Sequence, residues 1–167
     1  MSLQKANLPG RTVSESKSEM IELVLPNDTN SLGVLLGGRL MHWIDLAGAL
    51  AAYRHSNSYA VTASMDHIDF LSPVNMGDFV VLKSSVNRTF RTSMAVGVKA
   101  FAENYVNRTS QHVASAYLTF VAIDLQRNRV PVPPVIPESE AEKRRYQEAL
   151  VRREASVANR HRTKARD

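Results

Sequence analysis

One stretch, Leu32 to His55 (LGVLLGGRLMHWIDLAGALAAYRH), constrains this chain more than any other. The pair Gly37-Gly38 opens a long run without proline, and apolar side chains fall on nearly every face of the helix it would form. Such a helix is expected to be covered on most sides. A single acid, Asp45, sits inside it beside Trp43, Ile44 and Leu46. A carboxylate buried without a partner is costly, so Asp45 needs either a partner or a chemical task.

The rest of the chain supplies the cover. Residues 1–18 are polar and read as a loose arm. Glu19 to Leu25 reads as a first strand, ended by Pro26 and the turn-forming Asn27, Asp28, Asn30 and Ser31. The helix is expected from about Gly38 to His55, with Arg54 and His55 where the helix dipole favours cations. Tyr59 to Leu71 alternates with period two and reads as a strand. Phe79 to Asn87, Thr92 to Ala102 and His112 to Asp124 are three further strand-like runs joined by short connections. Val130 to Pro134 is too proline-rich for a helix or an inner strand and reads as an extended crossing segment. Glu138 to about Ala158 reads as a second helix with a thin apolar stripe of Tyr146, Leu150 and Val157.

Strand, long helix, four strands and a final helix leave few packing solutions. An antiparallel sheet curled round the central helix lets each bury its apolar face on the other, which gives an α+β fold. At 167 residues the chain makes one domain, placed at 19–137, with a basic helix and tail at 138–167. From Glu138 onward there are nine basic residues against six acidic ones, a surplus of three out of the net charge of +5. A basic end suits a phosphorylated ligand or an acidic partner, or simply a solvated helix. Nucleic acid is not expected, because Tyr146 is the only aromatic residue interleaved with those cations.

Composition removes several chemistries. The chain has no cysteine, so disulfides, thiolate nucleophiles and cysteine-ligated metals are excluded. No run approaches the roughly 20 apolar residues of a membrane span, and the first residues show no apolar leader core. Serine-hydrolase, phosphate-loop and dinucleotide-binding glycine motifs are absent. His67 and Asp69 share a strand face but lack a third ligand at metal spacing, so no metal site is expected.

The remaining candidates lie around the helix. Glycines at a helix start leave backbone N–H groups open to an oxyanion, or simply permit close packing. Asp45 is a candidate acid or base, with His42 one turn earlier as a possible ion-pair partner. Asn30, just before the glycines, can donate to a carbonyl or orient water, or serve its turn alone. Asp45 lies seven residues past Gly38, about 10 Å along the axis. One carbonyl cannot touch both, so a site using both is shared between two copies of the chain in a symmetric dimer.

Taken in order, Asn30, Gly33, Gly37-Gly38, Leu40-Met41 and Asp45 resemble the signature of the hot-dog-fold acyl-CoA thioesterases, specifically the cytosolic long-chain (brain-type) acyl-CoA hydrolases and their short bacterial relatives. Val61-Thr62, Asp66, Phe70, Pro73-Val74, Gly77-Asp78, Thr92-Ser93-Met94 and Phe120 to Asp124 continue the likeness over about residues 19–155. The resemblance implies a cytoplasmic hydrolase of fatty acid metabolism that takes acyl-CoA as substrate and uses no metal and no cofactor. Asp45 would activate water or attack the thioester, Asn30 would complete the site, and Gly37 and Gly38 would donate to the oxyanion. Thr62, Arg88, Arg91, Thr92 and Ser93 would bind substrate, the last four near the CoA phosphates. The family pairs two units with Asn and Asp of one site on different units, and commonly assembles as hexamers, trimers of dimers. Two departures stand out: Leu36 where a histidine often precedes the glycines, and Phe90-Arg91 where a glycine often stands. The alternatives are a non-catalytic acyl-CoA sensor, or an enoyl-CoA hydratase or dehydratase, against which Leu36 speaks.

Overall fold

The computed structural model describes residues 8–164, with side chains as far as Ala158. The long helix, α2, spans Gly37–Ser56 and ends on Asn57, whose left-handed backbone (φ 51°) lets its N–H bond back to Tyr53 O. Its buried positions, Leu40, Trp43, Ile44, Ala47, Gly48, Ala51, Ala52 and His55, recur at intervals of one turn and form a single face. The opposite face is open. Met41, Leu46 and Tyr53 are 39%, 45% and 45% exposed. The expectation of a helix covered on most sides therefore fails within one chain, because one sheet reaches only one side of it.

That sheet has five strands, β2 (Ser18–Leu23), β3 (Tyr59–Phe70), β4 (Phe79–Thr89), β5 (Ser93–Asn104) and β6 (Thr109–Ile123). Their order is β2-β4-β5-β6-β3, antiparallel throughout, so β2 and β3 are the edges. Alternate cross-strand rows point to α2. Leu82 faces Ala100, and Ser84 faces Val98 and then Ala116. These residues are buried, and Ser84 Oγ donates to the helix carbonyl of Ala47 at 2.7 Å. Helix and sheet come close at Gly48, where an added Cβ would stand 3.0 Å from the Phe120 ring. The expected α+β, hot-dog arrangement is what the chain adopts.

The first turn of chain departs from the expected loose arm. Residues 1–7 lie outside the described residues, but 8–18 are built into the fold. Arg11–Thr12 (β1) pairs in parallel with Val135–Ile136 (β7), and Val13–Ser16 (α1) buries Val13 and Ser16. Ser16 Oγ donates to Val13 O and accepts the β4 N–H of Val86. Arg11 Nη1 donates to Arg54 O and His55 O at the end of α2, carbonyls the helix itself leaves free. The polar residues of this stretch are hydrogen-bonding partners, which is why it is ordered despite having little apolar content.

The proline segment crosses as an extended chain, and Val132 and Val135 sink into the core. The last helix, α3, runs Glu140–Lys164. Ser139 and Glu142 close a reciprocal capping box at its start, since Glu142 Oε2 accepts the Ser139 N–H and Ser139 Oγ accepts that of Glu142. Backbone donation from Glu138 and Ser139 and the ion pair with Lys17 hold the Glu142 carboxyl below its ordinary value despite its burial.

Candidate active site

The loop before α2 is tied together by hydrogen bonds and an ion pair. Asp28 is buried; its Oδ2 accepts the Leu25 N–H and its Oδ1 pairs with Arg39 at 2.8 Å. Its carbonyl accepts the N–H of Leu36. Asn30 Oδ1 accepts the N–H groups of Leu32 (2.9 Å) and Val34 (3.2 Å), while Gly33 turns at φ 71°. The oxygen of the Asn30 amide is thus used by the loop, and its NH₂ group is presented from an exposed side chain.

Gly37 and Gly38 follow as the first residues of α2. The residue ahead of them, Leu36, provides no side-chain cap. First-turn N–H groups have no partner within their helix, so these point outward with the positive end of the dipole. A Cβ at Gly38 would meet nothing within 4 Å. Beside this helix start lies an apolar groove of about 350 Å³, lined by Leu35, Gly37 and Leu40 on one side and Phe70, Pro73 and Val74 on the other.

Asp45 stands on the open face of α2 and is half-buried rather than enclosed. The Thr62 hydroxyl donates to its Oδ1 at 2.6 Å, so its hydrogen-bond partner is a residue of the edge strand β3. His42, the partner weighed from sequence, is exposed. The chain brings Asp45 and Thr62 together, and brings Asn30 close to the glycine turn, but the rise of the helix keeps the two groups about 10 Å apart.

A family model for the thioesterase superfamily matches residues 32–107, which hold the glycine pair, Asp45 and Thr62. A Bacillus subtilis protein described as the uncharacterized acyl-CoA thioester hydrolase YkhA is 42% identical over 132 residues, covering 79% of this chain and 77% of that protein. The chain belongs to the thioesterase superfamily. Among solved structures, an acyl-CoA hydrolase from Staphylococcus aureus, in complex with butyryl coenzyme A, coenzyme A and coenzyme A disulfide, superposes with TM-score 0.87 at 37% identity, covering 94% of this chain and 96% of that one. Variants of that hydrolase with alanine replacing one aspartate, one asparagine or one threonine are also solved. A structure described as an apo-hexameric acyl-CoA thioesterase superposes with TM-score 0.88 at 39% identity, over 91% of this chain and 97% of that one. Matching mammalian thioesterases are much longer, and the chain spans only 23% to 37% of them.

Within this thioesterase-superfamily fold, three of the four residues expected near CoA phosphates, Arg88, Thr92 and Ser93, lie elsewhere than on an open surface. Thr92 and Ser93 are buried, and Ser93 Oγ accepts a hydrogen bond from Arg153 of α3 at 3.2 Å. Arg88 donates to Tyr146 O and stacks its guanidinium 4.0 Å from the Tyr146 ring. Helix α3 occupies Arg88 and Ser93; Arg91 alone of the four is exposed. His67 and Asp69 pair at 2.9 Å in the open, and no group of three or more metal-binding side chains occurs among the described residues. Asp28 and the groove residue Phe70 were not among the sequence candidates. Asp28 read as turn chemistry; its pairing with Arg39 could have been sought from the opposite charges at the two ends of the loop.

Proposed function

We propose that this chain hydrolyses acyl-CoA thioesters to free acid and CoA. The observation that carries the reading is the constellation of Asn30, the Gly37-Gly38 helix start, Asp45 and Thr62. Asn30, Asp45 and Thr62 stand at the same spacing along the chain as the asparagine, aspartate and threonine replaced in the Staphylococcus aureus hydrolase. Asp45 of one protomer faces the glycine turn and Asn30 of a partner, so two sites are shared across a homodimer. The open apolar face of α2 and the edge strand β3 are the surfaces that such a pairing would cover. The hexameric relative supports assembly beyond a dimer, and three such dimers would make a hexamer.

In the general-base route Asp45 takes a proton from water as the oxygen attacks the thioester carbonyl carbon. The N–H of Gly38, with Gly37 beside it, and the Asn30 NH₂ group stabilise the tetrahedral oxyanion. The C–S bond then breaks, the carbonyl re-forms, and the CoA sulfur leaves with the proton that Asp45 held. In the alternative route the Asp45 carboxylate attacks the thioester carbonyl, and the C–S bond breaks with CoA leaving as thiolate. Water then hydrolyses the anhydride to the free acid and the restored carboxylate, its remaining proton going to the thiolate. Thr62 orients the carboxylate in either case, and the apolar groove beside Gly37 takes the acyl chain. The step drawn here calls on no metal and no cofactor. None of the helices among the described residues is long and apolar enough to cross a membrane, and a cytoplasmic location agrees with the cytosolic hydrolases among the mammalian relatives.

The test is CoA release, read with a thiol reagent across acyl lengths, on the wild-type protein and Asp45→Asn. The expected result is turnover by the wild type and a loss of about 10² to 10⁴ in kcat for the variant. Acyl-CoA binding without CoA release by the wild type would make the chain a sensor and end the hydrolase reading. A single turnover in ¹⁸O water separates the routes, since label in the Asp45 carboxylate requires the anhydride.

A further inference from the structure

The face of the sheet turned away from α2 holds a groove of about 630 Å³, a size suited to a small molecule. Its position follows from strand register. The rows that pack on α2 alternate with the rows Lys83–Lys99–Ser115 and Ser85–Gly97–Tyr117, which therefore point the other way. Thr62 is registered opposite Phe120, a core residue packed on α2, so the Asp45–Thr62 pair belongs to the helix side. The groove lies behind it.

We propose that this groove is a second site, built for a small phosphate-bearing anion. The lining is rich in donors. Lys17, Arg54, Lys83, Lys99 and Arg145 contribute to it against one acid, Glu19. Three of the cations are already engaged: Lys83 with Glu19 at 3.6 Å, Lys17 with Glu142 at 3.2 Å, and Arg54 with Lys17 O at 2.7 Å. Lys99 and Arg145 have no ion-pair partner among the described residues. They share the groove with Gly97, where an added Cβ would lie 2.7 Å from Asn87 Nδ2, so a side chain there would have to displace the buried Asn87 amide.

Asn87 is the second, independent observation. It lines the groove, is 3% exposed, and its amide nitrogen has no hydrogen-bond partner. Buried side-chain donors are almost always satisfied, because an unmade hydrogen bond leaves the desolvation cost uncompensated. An acceptor-rich anion in the groove would take that N–H, the Ser85 and Ser115 hydroxyls and the two free cations together. A phosphate ester offers such oxygens and charge. A ligand lacking charge would leave the cations unanswered, and an apolar one would leave Asn87 unanswered too.

The test is calorimetric titration of the full chain, in its native assembly at low salt, with inorganic pyrophosphate. Three proteins are compared: wild type, the double variant Lys99→Gln with Arg145→Gln, and a control that removes equal charge from the exposed side of α3, Lys143→Gln with Arg144→Gln. Wild type and control are expected to bind alike, and the groove variant about tenfold or more weakly. Equal weakening in the control, or no binding by the wild type at millimolar pyrophosphate, overturns the site. A final arm adds CoA as competitor. Retention of pyrophosphate at CoA concentrations that inhibit thioester turnover supports a separate site; displacement there means the groove serves the substrate's own phosphates and overturns the proposal. The titrations of the three proteins do not depend on whether the protein hydrolyses anything; only the competition arm rests on that reading.

Discussion

The Thr62 hydroxyl and the Asp45 carboxylate lie 2.6 Å apart, joining the edge strand β3 to the middle of α2 across the open side of the fold. One oxygen of Asp45 is thereby fixed while the carboxylate stays half-buried. Thr62→Val keeps the shape of the side chain and removes the donor. The carboxylate then swings free of its angle of attack, and kcat is expected to fall on the order of tenfold to a hundredfold with KM little changed. Steady-state kinetics on the folded variant decide this; a rise in KM at constant kcat would instead make Thr62 a substrate contact.

Gly38 separates stability from activity. Its helical backbone accepts alanine, and the added Cβ meets nothing within the chain. Gly38→Ala is expected to melt at the same temperature or higher, with a gain of up to about 1 kcal/mol from helix propensity. Turnover should nonetheless collapse, because the methyl group stands where a thioester oxygen must approach the N–H. Melting curves and CoA release on one preparation check both halves. Gly48→Ala is the converse. Its methyl group would press on Phe120 at 3.0 Å, and a loss of about 1 to 3 kcal/mol is expected in denaturant unfolding.

His55 gives the fold a pH dependence. The ring is fully buried, its Nε2 donates to Pro133 O at 2.9 Å, and Nδ1 has no partner. Burial pushes its pKa below the ordinary 6.5, Arg11 pushes the same way, and the Pro133 carbonyl opposes them. The unfolded chain therefore takes up a proton that the folded chain refuses. His55 leaves stability intact above pH 6.5 and erodes it as pH falls from there toward the lowered folded-state value. Melting temperature measured across about pH 5 to 8 should drop on the acid side, and His55→Gln should flatten that drop.

How much of this was legible in the sequence depends on the range of the interaction. The helix and the strands carry their own periodicity, and their bounds came within a few residues. The glycine turn, Asn30 and Asp45 stand in one continuous segment, and their incompatibility on one helix follows from its rise alone. Residues 8–18 were misread because Val13 is the only apolar side chain they bury, and its anchorage lies in β4 and α2. Arg88 and Ser93 look like a free polar patch until Tyr146 and Arg153, some sixty residues on, close over them. The open face of α2 was invisible for the same reason: the sequence shows a helix apolar all round, and only the sheet's single-sided reach reveals what one chain leaves uncovered.

That uncovered face leads to the most demanding test. If each site takes Asp45 from one protomer and Asn30 from another, then Asn30→Ala and Asp45→Ala are each nearly inactive alone, since every site in either dimer lacks one group. Mixed and allowed to exchange protomers, they form hybrids. One site of a hybrid combines both defects, and the other combines the native Asp45 of one protomer with the native Asn30 of its partner. With random exchange half the dimers are hybrids and one of their two sites is whole, so about a quarter of wild-type activity should return. Recovery must wait on protomer exchange and must fail if the variants are cross-linked as homodimers beforehand. If activity stays at the level of the separate variants after exchange is shown by mass spectrometry, Asp45 and Asn30 serve the same protomer's site and the shared-site geometry is wrong.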